Sequence, residues 1–463
     1  MKALSIFGTS NTYIGCLTRT LALVLFVTFF WFQIYVINLT IRDWPRKTSI
    51  NETYFSQIPQ EFHRLLKKRH NATATTNATS RSLTDTEISE IRRNIDKINS
   101  EQRVYNEETF GPVFPDTTVI VVQVHTRFVY LAHLIASLAQ AKDIEQSLLI
   151  FSHDFWDPDI NYLVQSIDFC RVMQIFYPYS IQTHPRTFPG EDPRDCPRNI
   201  TQKQALLLKC KNAEHPDLYG HYREAKYTQT KHHWWWKANR VFDQLKVTRN
   251  QDGMVLFLEE DHYVAEDFLH VLRLMKRTCE YSCERCNVLT LGTHLTTYDS
   301  YSEFNHKVEV TSWITNMGLA FNRETWSKIK KCAKIFCSYD DYNWDYSLQR
   351  VARNCLPPRK GSGIVPRSDS GLIAMMMLAN RVFHVGECGI HQHKENCEST
   401  AVIAKVQNVL KSVQNHLYPT QLTLTFTGTT QELILGKANG GWGDLRDQEL
   451  CWNITLNPDL ILP

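Results

Sequence analysis

Three consecutive carboxylates follow an apolar run near the middle of the chain. The run 254–258 predicts a buried strand, and Glu259, Glu260 and Asp261 come directly after it. Crowded carboxylates repel one another unless a cation or hydrogen-bond donors compensate them. The pattern therefore favours a Mg²⁺ or Mn²⁺ ion that bridges the acidic residues to a diphosphate, because both ions prefer oxygen ligands. The alternative is the acidic start of a helix over 265–276.

A second acidic group lies within an aromatic stretch. Residues 339–348 contain Asp340, Asp341 and Asp345 among tyrosine and tryptophan side chains. Aromatic neighbours would desolvate a carboxylate and raise its basicity, which suits a residue that removes a proton from a hydroxyl group. The alternative is a helix start, with Asp340 or Asp341 as the N-cap and the rings in the core. The sequence leaves open which aspartate would be the base.

Both acidic groups need a scaffold, and the pattern from residue 117 onward predicts one. An apolar β-branched run at 117–124, a helical stretch at 130–141 and a second apolar run at 147–152 are typical of a parallel α/β sheet. Ligands of such sheets bind beyond the carboxyl ends of the strands. The polar residues there are therefore candidates for binding a nucleotide: Gln123, His125, Arg127 and Asp154.

The N-terminal region predicts a membrane anchor. Residues 21–39 are apolar and uncharged, long enough to span a bilayer as a helix and longer than the apolar core of a cleaved signal peptide. Glycosylation requires a lumenal address, so sequons after this stretch predict a single-pass type II protein. These sequons are at Asn51, Asn71, Asn77, Asn199 and Asn453. We expect a cytoplasmic tail at 1–20, the anchor at 21–39, a stem at 40–108 and a lumenal catalytic domain at 109–463.

Isoleucines in the predicted stem recur at helical spacing, at positions 88, 91, 95 and 98. They predict a short amphipathic helix that packs on the catalytic domain. The alternative is that this helix pairs with a copy of itself, which would give a homodimer.

Charge and cysteine content limit the classes of function. The formal net charge is only +3 over 463 residues, without a dense Lys/Arg face in the C-terminal part, so nucleic acid is disfavoured as a partner. Twelve of the 13 cysteines follow the predicted anchor, and in an oxidising lumen they favour disulfides. The alternative is a zinc site, built from Cys279, Cys283 and Cys286 or from the Cys and His residues of 388–397.

Long segments of the chain resemble the N-acetylglucosaminyltransferase II family. The resemblance covers most of 117–451, in order, and is far more specific than a short acidic motif. The segments are VVQVHTR (121–127), IFSHDFW (150–156), FPGEDPRDCPR (188–198), GHYREAKYTQTKHHWWWK (220–237), LFLEEDHYVAEDF (256–268), NMGLA (316–320), YDDYNWD (339–345), FHVGECG (383–389) and NGGWGDLRDQELC (439–451).

The resemblance implies a fold and an activity. The fold would be the α/β GT-A glycosyltransferase fold, with a Rossmann-like half for UDP-GlcNAc and a second half for the acceptor. The activity would be inverting transfer of GlcNAc, in β-1,2 linkage, to the α-1,6-linked mannose of an N-glycan core on glycoproteins. The implied location is the Golgi membrane. A carbohydrate-binding protein that has lost turnover and a zinc-dependent hydrolase are the rival classes, and no HExxH motif supports the hydrolase.

The resemblance also assigns residues. Asp261 and His384 would bind Mn²⁺, Asp345 would be the base, and Arg198 and Trp344 would contact the acceptor. The donor would be bound by Gln123, Val124, His125, Thr126, Arg127, Asp154, Gln229, Thr230, Lys231, His232, His233 and Tyr298, the last at a position where related sequences carry Arg. The implied disulfides are Cys196–Cys210, Cys283–Cys286, Cys332–Cys355, Cys337–Cys451 and Cys388–Cys397, which leaves Cys170 and Cys279 over.

Overall fold

The computed structural model describes residues 82–294, 301–357, 371–386, 399–426 and 437–456. The strands of this part are β1 (Val104–Tyr105), β2 (Val119–Val124), β3 (Leu148–His153), β4 (Arg171–Phe176), β5 (Val255–Glu259), β6 (His262–Val264), β7 (Val288–Thr290), β8 (Lys307–Thr311), β9 (Leu319–Phe321), β10 (Ala374–Met377), β11 (Val382–His384) and β12 (Thr423–Phe426).

Helices alternate with these strands over much of the described chain. They are α1 (Asp85–Glu101), α2 (Glu107–Phe110), α3 (Phe128–Ala139), α4 (Pro158–Gln165), α5 (Gln202–Leu208), α6 (Ala225–Asn239), α7 (Phe268–Ser282), α8 (Tyr301–Phe304), α9 (Arg323–Lys331), α10 (Ala333–Ser338), α11 (Trp344–Asn354), α12 (Ser399–Ser412) and α13 (Leu445–Leu456).

Ten strands form one mixed sheet, in the order β1-β4-β3-β2-β5-β9-β7-β10-β8-β12. Strands β4, β3, β2 and β5 are parallel neighbours, and Gln123 of β2 lies opposite Ser152 of β3 and Glu259 of β5. The carboxyl ends of these strands therefore meet at one edge of the sheet. We call it the acidic edge, because Glu259 is the last residue of β5 and Glu260 and Asp261 follow it there. The predicted parallel α/β arrangement is confirmed for β2 to β5, whereas other neighbours in the sheet are antiparallel.

Burial explains why the central strands are continuously apolar. Residues of β2 and β3 are buried on both faces of the sheet, so their sequences lack the alternation of a strand with one wet face. Helix α3, which connects them, is also buried along most of its length. Strands β6 and β11 form a two-stranded antiparallel sheet, separate from the main sheet, in which His262 pairs with His384. It thereby brings a residue from far along the chain to the end of β5.

Helix α1 packs on the sheet, as the isoleucine spacing predicts. Thr84 and Glu87 form a capping box at its start, which satisfies backbone donors of the first turn. Ile91 and Ile95 lie against Phe176 of β4, and Asn99 donates to the carbonyl of Phe176 at 2.7 Å. The predicted division between stem and catalytic domain at 108/109 stays a prediction, although α1 and β1 already contact the sheet.

Four of the five expected disulfides are present: Cys196–Cys210, Cys283–Cys286, Cys332–Cys355 and Cys337–Cys451. The zinc site proposed around Cys279, Cys283 and Cys286 is therefore wrong, because two of its three sulfurs are bonded to each other. Cys170 and Cys279 are buried. The expected pair Cys388–Cys397 lies outside the described residues, as do the other cysteines and histidines of the alternative zinc site.

The predicted anchor at 21–39 also lies outside the described residues, together with Asn51, Asn71 and Asn77. Among the helices that the structure does describe, none has the length and apolar character needed to cross a membrane. Of the two remaining sequons, Asn199 is exposed just before α5, whereas Asn453 is half-buried within α13.

Candidate active site

Glu260 joins the ends of β2 and β5. Its carboxylate accepts the backbone N–H of His125 at 2.8 Å and that of Arg127 at 3.3 Å, while its own N–H donates to the carbonyl of Gln123 at 2.9 Å. Burial raises the pKa of Glu260 to about 7. These bonds fix the turn that follows β2, so His125 and Arg127 project at the acidic edge.

Asp154, which directly follows β3, is surrounded by donors. Its carboxylate lies 2.6 Å from His125 Nδ1, 3.4 Å from His233 Nδ1 and accepts from Gln229 Nε2 at 3.0 Å. Burial alone would raise the pKa of Asp154, but the neighbouring His125 and His233 outweigh it and lower that pKa. The charge of Asp154 in turn raises the pKa of His125 to about 9. The half-exposed His125 imidazolium therefore adds a positive charge to the edge.

Asp261 and His384 converge at the same edge. The two side chains approach to 3.3 Å, between Asp261 Oδ2 and His384 Nε2, and Arg127 Nη1 also contacts that oxygen. Burial alone would raise the pKa of Asp261, but hydrogen bonding and charge from His384, with the charge of Arg127, lower it. A Cβ atom at Gly386 would overlap Asp261 Oδ2, so glycine keeps this face of the carboxylate open.

The donor set of this corner fits a divalent cation. One ligand atom from each of Glu259, Asp261 and His262 lies within 4.8 Å of the others. However, His262 Nδ1 accepts the backbone N–H of Glu259 at 3.2 Å. In the neutral imidazole the proton must then sit on Nε2, which removes His262 as a ligand. Asp261 with His384, the predicted pair, is the better donor set, because His384 Nε2 and Asp261 Oδ2 already lie 3.3 Å apart and the His384 side chain is partly exposed, although Arg127 would have to give up its contact with that oxygen.

Helix α6 presents one stripe of polar residues to this edge. Gln229 and His233 both contact Asp154, and His233 Nε2 also lies 2.8 Å from Ser152 Oγ. One turn further along, Lys237 Nζ donates to Gln123 Oε1 at 2.6 Å. Sequence reasoning missed Lys237. The signal was its i+4 spacing from His233, because residues four apart lie on the same face of a helix.

The continuous donor-binding segment 229–233 needs correction. Lys231 and His232 are buried on other sides of α6, where Lys231 Nζ donates to the carbonyls of Tyr339 and Asp341 and His232 Nε2 lies 2.9 Å from Asp447. Neither side chain is at the acidic edge. Three other residues were predicted to bind the sugar donor. Val124 and Thr126 lie at the end of β2, and Thr230 is half-buried on α6. Tyr298 lies outside the described residues.

Two of the three aspartates in the aromatic stretch have structural partners. Asp340 accepts the backbone N–H groups of Leu218 at 2.6 Å and Trp442 at 2.8 Å. Asp341 accepts those of Asn343 and Asn439, each at 2.9 Å. Both carboxylates thus tie together chain segments that are distant in sequence, which leaves them poorly placed to take up a proton from a substrate.

Asp345 differs from both. It lies half-buried in the first turn of α11 and accepts the N–H of its own neighbour, Tyr346, at 2.9 Å. Burial raises its pKa to about 7, and the negative charges of Glu259 and Asp341 add to the rise. The contribution of Glu259 indicates that the Asp345 carboxylate lies within electrostatic reach of the end of β5. A carboxylate with a pKa near neutrality is suited to general base catalysis.

Trp344 does not fit its predicted role as an acceptor contact. Its side chain is only 6% exposed and stacks on Trp234 of α6 with ring centroids 4.4 Å apart. Trp344 is therefore a core residue. Arg198, the other predicted acceptor contact, is half exposed and pairs with Glu224 at 2.5 Å.

The carboxylates and basic side chains at the carboxyl ends of β2, β3 and β5 are suited to an enzyme that transfers a group from a phosphorylated donor. Comparisons with known proteins narrow this class. The profile of the N-acetylglucosaminyltransferase II (MGAT2) family matches residues 92–451. Alpha-1,6-mannosyl-glycoprotein 2-beta-N-acetylglucosaminyltransferase of Sus scrofa is 45% identical over 358 residues, which are 77% of this chain and 77% of the relative.

The enzyme of the same name from Homo sapiens is 43% identical over 77% of each chain. Among solved structures, that of S. aureus TarS 1-349 matches with a TM-score of 0.29 and 9% identity over 64% of this chain and 72% of the other. This likeness is too low to bear on the fold. The chain belongs to the N-acetylglucosaminyltransferase II family and is a glycosyltransferase, which confirms the family predicted from the sequence segments.

Proposed function

We propose that this protein transfers GlcNAc from UDP-GlcNAc, in β-1,2 linkage, to the α-1,6-linked mannose of the N-glycan core, by an inverting single displacement. The observation that carries the proposal is the convergence of Asp261 and His384 at the end of β5. Asp345, a half-buried carboxylate of raised pKa in the first turn of α11, supplies the candidate base. The names of the relatives at 43% and 45% identity support the same donor sugar, linkage and acceptor.

The residues of the acidic edge would hold the donor. His125 and Arg127 supply positive charge beside the ends of β2 and β5, and such charge stabilises a diphosphate. Asp261 and His384 would hold Mn²⁺, and a mixed oxygen and imidazole donor set suits that ion. The bound ion would stabilise the charge that develops on the departing UDP. Arg127, which contacts Asp261 in this structure, would then be available to the phosphates.

Asp345 would act on the acceptor. As the mannose hydroxyl oxygen forms a bond with the anomeric carbon of GlcNAc, its proton passes to the Asp345 carboxylate, and the bond from that carbon to the β-phosphate oxygen breaks. UDP leaves with the bonding electrons. Attack from the side opposite to the leaving group inverts the anomeric centre, which converts the α-linked donor sugar into a β-linked product.

The proposal includes the finer architecture and location. The parallel strands β2–β5 would be the donor half of a GT-A fold. Helix α11 would belong to the acceptor half, together with α10 and α13, which the disulfide Cys337–Cys451 links. Residues 21–39 would anchor the protein in the Golgi membrane with the catalytic part in the lumen, and a homodimer would form through the stem. Protease protection of intact Golgi vesicles tests the orientation, and sedimentation equilibrium tests the dimer.

The deciding experiment is a transfer assay. The purified protein is given UDP-GlcNAc, Mn²⁺ and a trimannosyl core that already carries GlcNAc on its α-1,3 arm, and the linkage of the product is determined by NMR. We expect one GlcNAc per acceptor, β-1,2-linked to the α-1,6 mannose. The same acceptor without its α-1,6 mannose is the control and should not react. Glycan binding without UDP release would instead identify a carbohydrate-binding protein.

A further inference from the structure

The two faces of helix α6 serve different parts of the molecule. Successive residues of an α-helix are about 100° apart, so Lys231 lies about 200° from Gln229, on the opposite face. Gln229 contacts Asp154 at the acidic edge. Lys231 is completely buried on the other face, with Nζ 4.0 Å from the centroid of the Trp442 ring. A side chain in this position cannot reach a donor bound at the edge.

Lys231 holds a specific turn. Its Nζ donates to the backbone carbonyl oxygens of Tyr339 and Asp341, each at 3.0 Å. Burial lowers the pKa of Lys231 to about 7, but both the charged and the neutral amine have at least two N–H donors. Two of them bind the carbonyls on either side of Asp340. These two hydrogen bonds attach the backbone of the turn 339–341 to α6. Backbone N–H groups of Leu218, Asn439 and Trp442 bind the side chains of Asp340 and Asp341.

The same turn sets the start of α11. Asp341 Oδ1 accepts the N–H of Asn343 at 2.9 Å, and the carbonyl of Asp341 accepts from Ser347 Oγ at 3.4 Å as well as from Lys231. Asp345 lies between Asn343 and Ser347, in the first helical turn. Lys231 is therefore bonded to the segment that determines where the Asp345 carboxylate points.

A buried ammonium group is costly, because the charge loses its hydration. Here backbone carbonyls and the faces of Trp442 and Phe336 compensate it. The hydrogen bonds from Lys231 to main-chain carbonyls are directional, so they fix the geometry of the turn 339–341. We propose that Lys231 is a positioning residue, which holds the turn 339–341 and thereby the first turn of α11 that carries Asp345, and that it does not contact the donor. This inference rests on the proposed function, in which Asp345 is the base.

Lys231→Met tests the proposal, since methionine fills the same space without the donors. We expect kcat to fall by about 10- to 100-fold, because a displacement of about 1 Å at a reacting group has effects of that size. The dissociation constant of UDP in the presence of Mn²⁺, measured by titration calorimetry, should stay within about twofold of the wild type. Lys331→Met, at an exposed lysine of α9, is the matched control and should change neither quantity.

The split between the two measurements decides among three roles. If Lys231 contacts the donor, the UDP dissociation constant rises and the proposal is wrong. If Lys231 only stabilises the fold, kcat per correctly folded enzyme, determined by active-site titration, remains normal and the proposal is also wrong.

Asn439→Ala covers the case in which Lys231→Met does not fold. Asn439 is exposed, and the substitution removes its Nδ2 donor, which lies 3.0 Å from Asp341 Oδ2. We expect kcat to fall, by less than in Lys231→Met, and the UDP dissociation constant to stay unchanged. A normal kcat for Asn439→Ala contradicts the proposal.

Asp345→Asn, measured in parallel, separates this inference from the proposed function. If Asp345→Asn keeps near-normal turnover, the assignment of the base is wrong whatever Lys231 does. If Asp345→Asn is inactive while Lys231→Met and Asn439→Ala turn over at the wild-type rate, only the positioning role fails.

Discussion

The chain has two groups of three carboxylates that look similar in the sequence. They are Glu259 to Asp261 and the aspartates at 340, 341 and 345, and different partners compensate their negative charges. In the first group, His384 and Arg127 lower the pKa of Asp261, whereas burial raises that of Glu260 to about 7 and leaves it to bind backbone N–H groups. In the second group, backbone N–H groups hold Asp340 and Asp341, and Asp345 has a raised pKa of about 7.

The difference teaches that neighbouring partners, and not the acidic residues themselves, determine the chemistry. A carboxylate with a lowered pKa remains ionised and can bind cations throughout the physiological range. A carboxylate with a raised pKa can accept a proton and release it again near neutral pH. The enzyme needs both kinds within reach of one substrate. The following predictions test whether the two groups are as distinct as this comparison requires.

The largest effect is expected from Asp261→Ala. Removing this carboxylate should abolish Mn²⁺-dependent binding of UDP and lower kcat/KM by about 10⁴-fold, because metal stabilisation of a leaving group contributes several kcal/mol and each 1.36 kcal/mol is about tenfold in rate. Titration calorimetry with and without Mn²⁺ measures the binding. Asp116→Ala, at an exposed aspartate before β2, is the control. UDP affinity equal to that of the wild type would remove Asp261 from the cation site.

The next largest effect is expected from Asp345→Asn. The amide is isosteric but cannot accept the proton, so kcat should fall by at least about 10²-fold. UDP affinity should be unchanged, in contrast to Asp261→Ala. Single-turnover kinetics with saturating donor measures the step directly, and Asp96→Asn, at an exposed helical aspartate, is the control. Near-normal turnover would move the role of base to Asp340 or Asp341.

The pH dependence should follow Asp345. Its pKa is raised to about 7, and only the ionised form can act as base, so activity is present above this pH and lost as the pH falls through it. We expect kcat/KM to decrease about tenfold per pH unit on the acid side. Because burial also raises the pKa of Glu260 to about 7, the residual kcat/KM of Asp345→Asn is measured over the same range and should lack the acid limb that Asp345 causes. A flat kcat/KM between about pH 5 and 7 would contradict the assignment.

The sheet and the acidic edge could be predicted from the sequence because they depend on local patterns. The apolar runs of β2, β3 and β5 are continuous, and the carboxylates stand at the end of the last one. His384 had no such signal, since it reaches the edge only through the pairing of β6 with β11. The resemblance to a family was needed to select it.

The role of each aspartate could not be predicted from the residues alone. Apart from the N–H of Asn343, the backbone donors that hold Asp340 and Asp341 belong to Leu218, Asn439 and Trp442, which are about a hundred positions away. Local sequence contains no information about such contacts. The same reason explains the error over 229–233, where a continuous run was expected to face the donor. In a helix, neighbours in sequence point to different sides, and only Gln229 and His233 of that run contact Asp154.

The smallest effect on catalysis is expected at Trp344, which the family resemblance assigned to contact with the acceptor. Its stacking on Trp234 at 4.4 Å makes it part of the core instead. Trp344→Phe should therefore leave the KM for the glycan within about twofold of the wild type, while the smaller ring lowers the free energy of unfolding by about 1–3 kcal/mol through the cavity that it leaves. Initial rates at varied acceptor concentration and urea unfolding measure the two quantities. A large rise in KM with unchanged stability would return Trp344 to the acceptor site, and the aromatic rings around Asp345 would then contact sugar as well as the core.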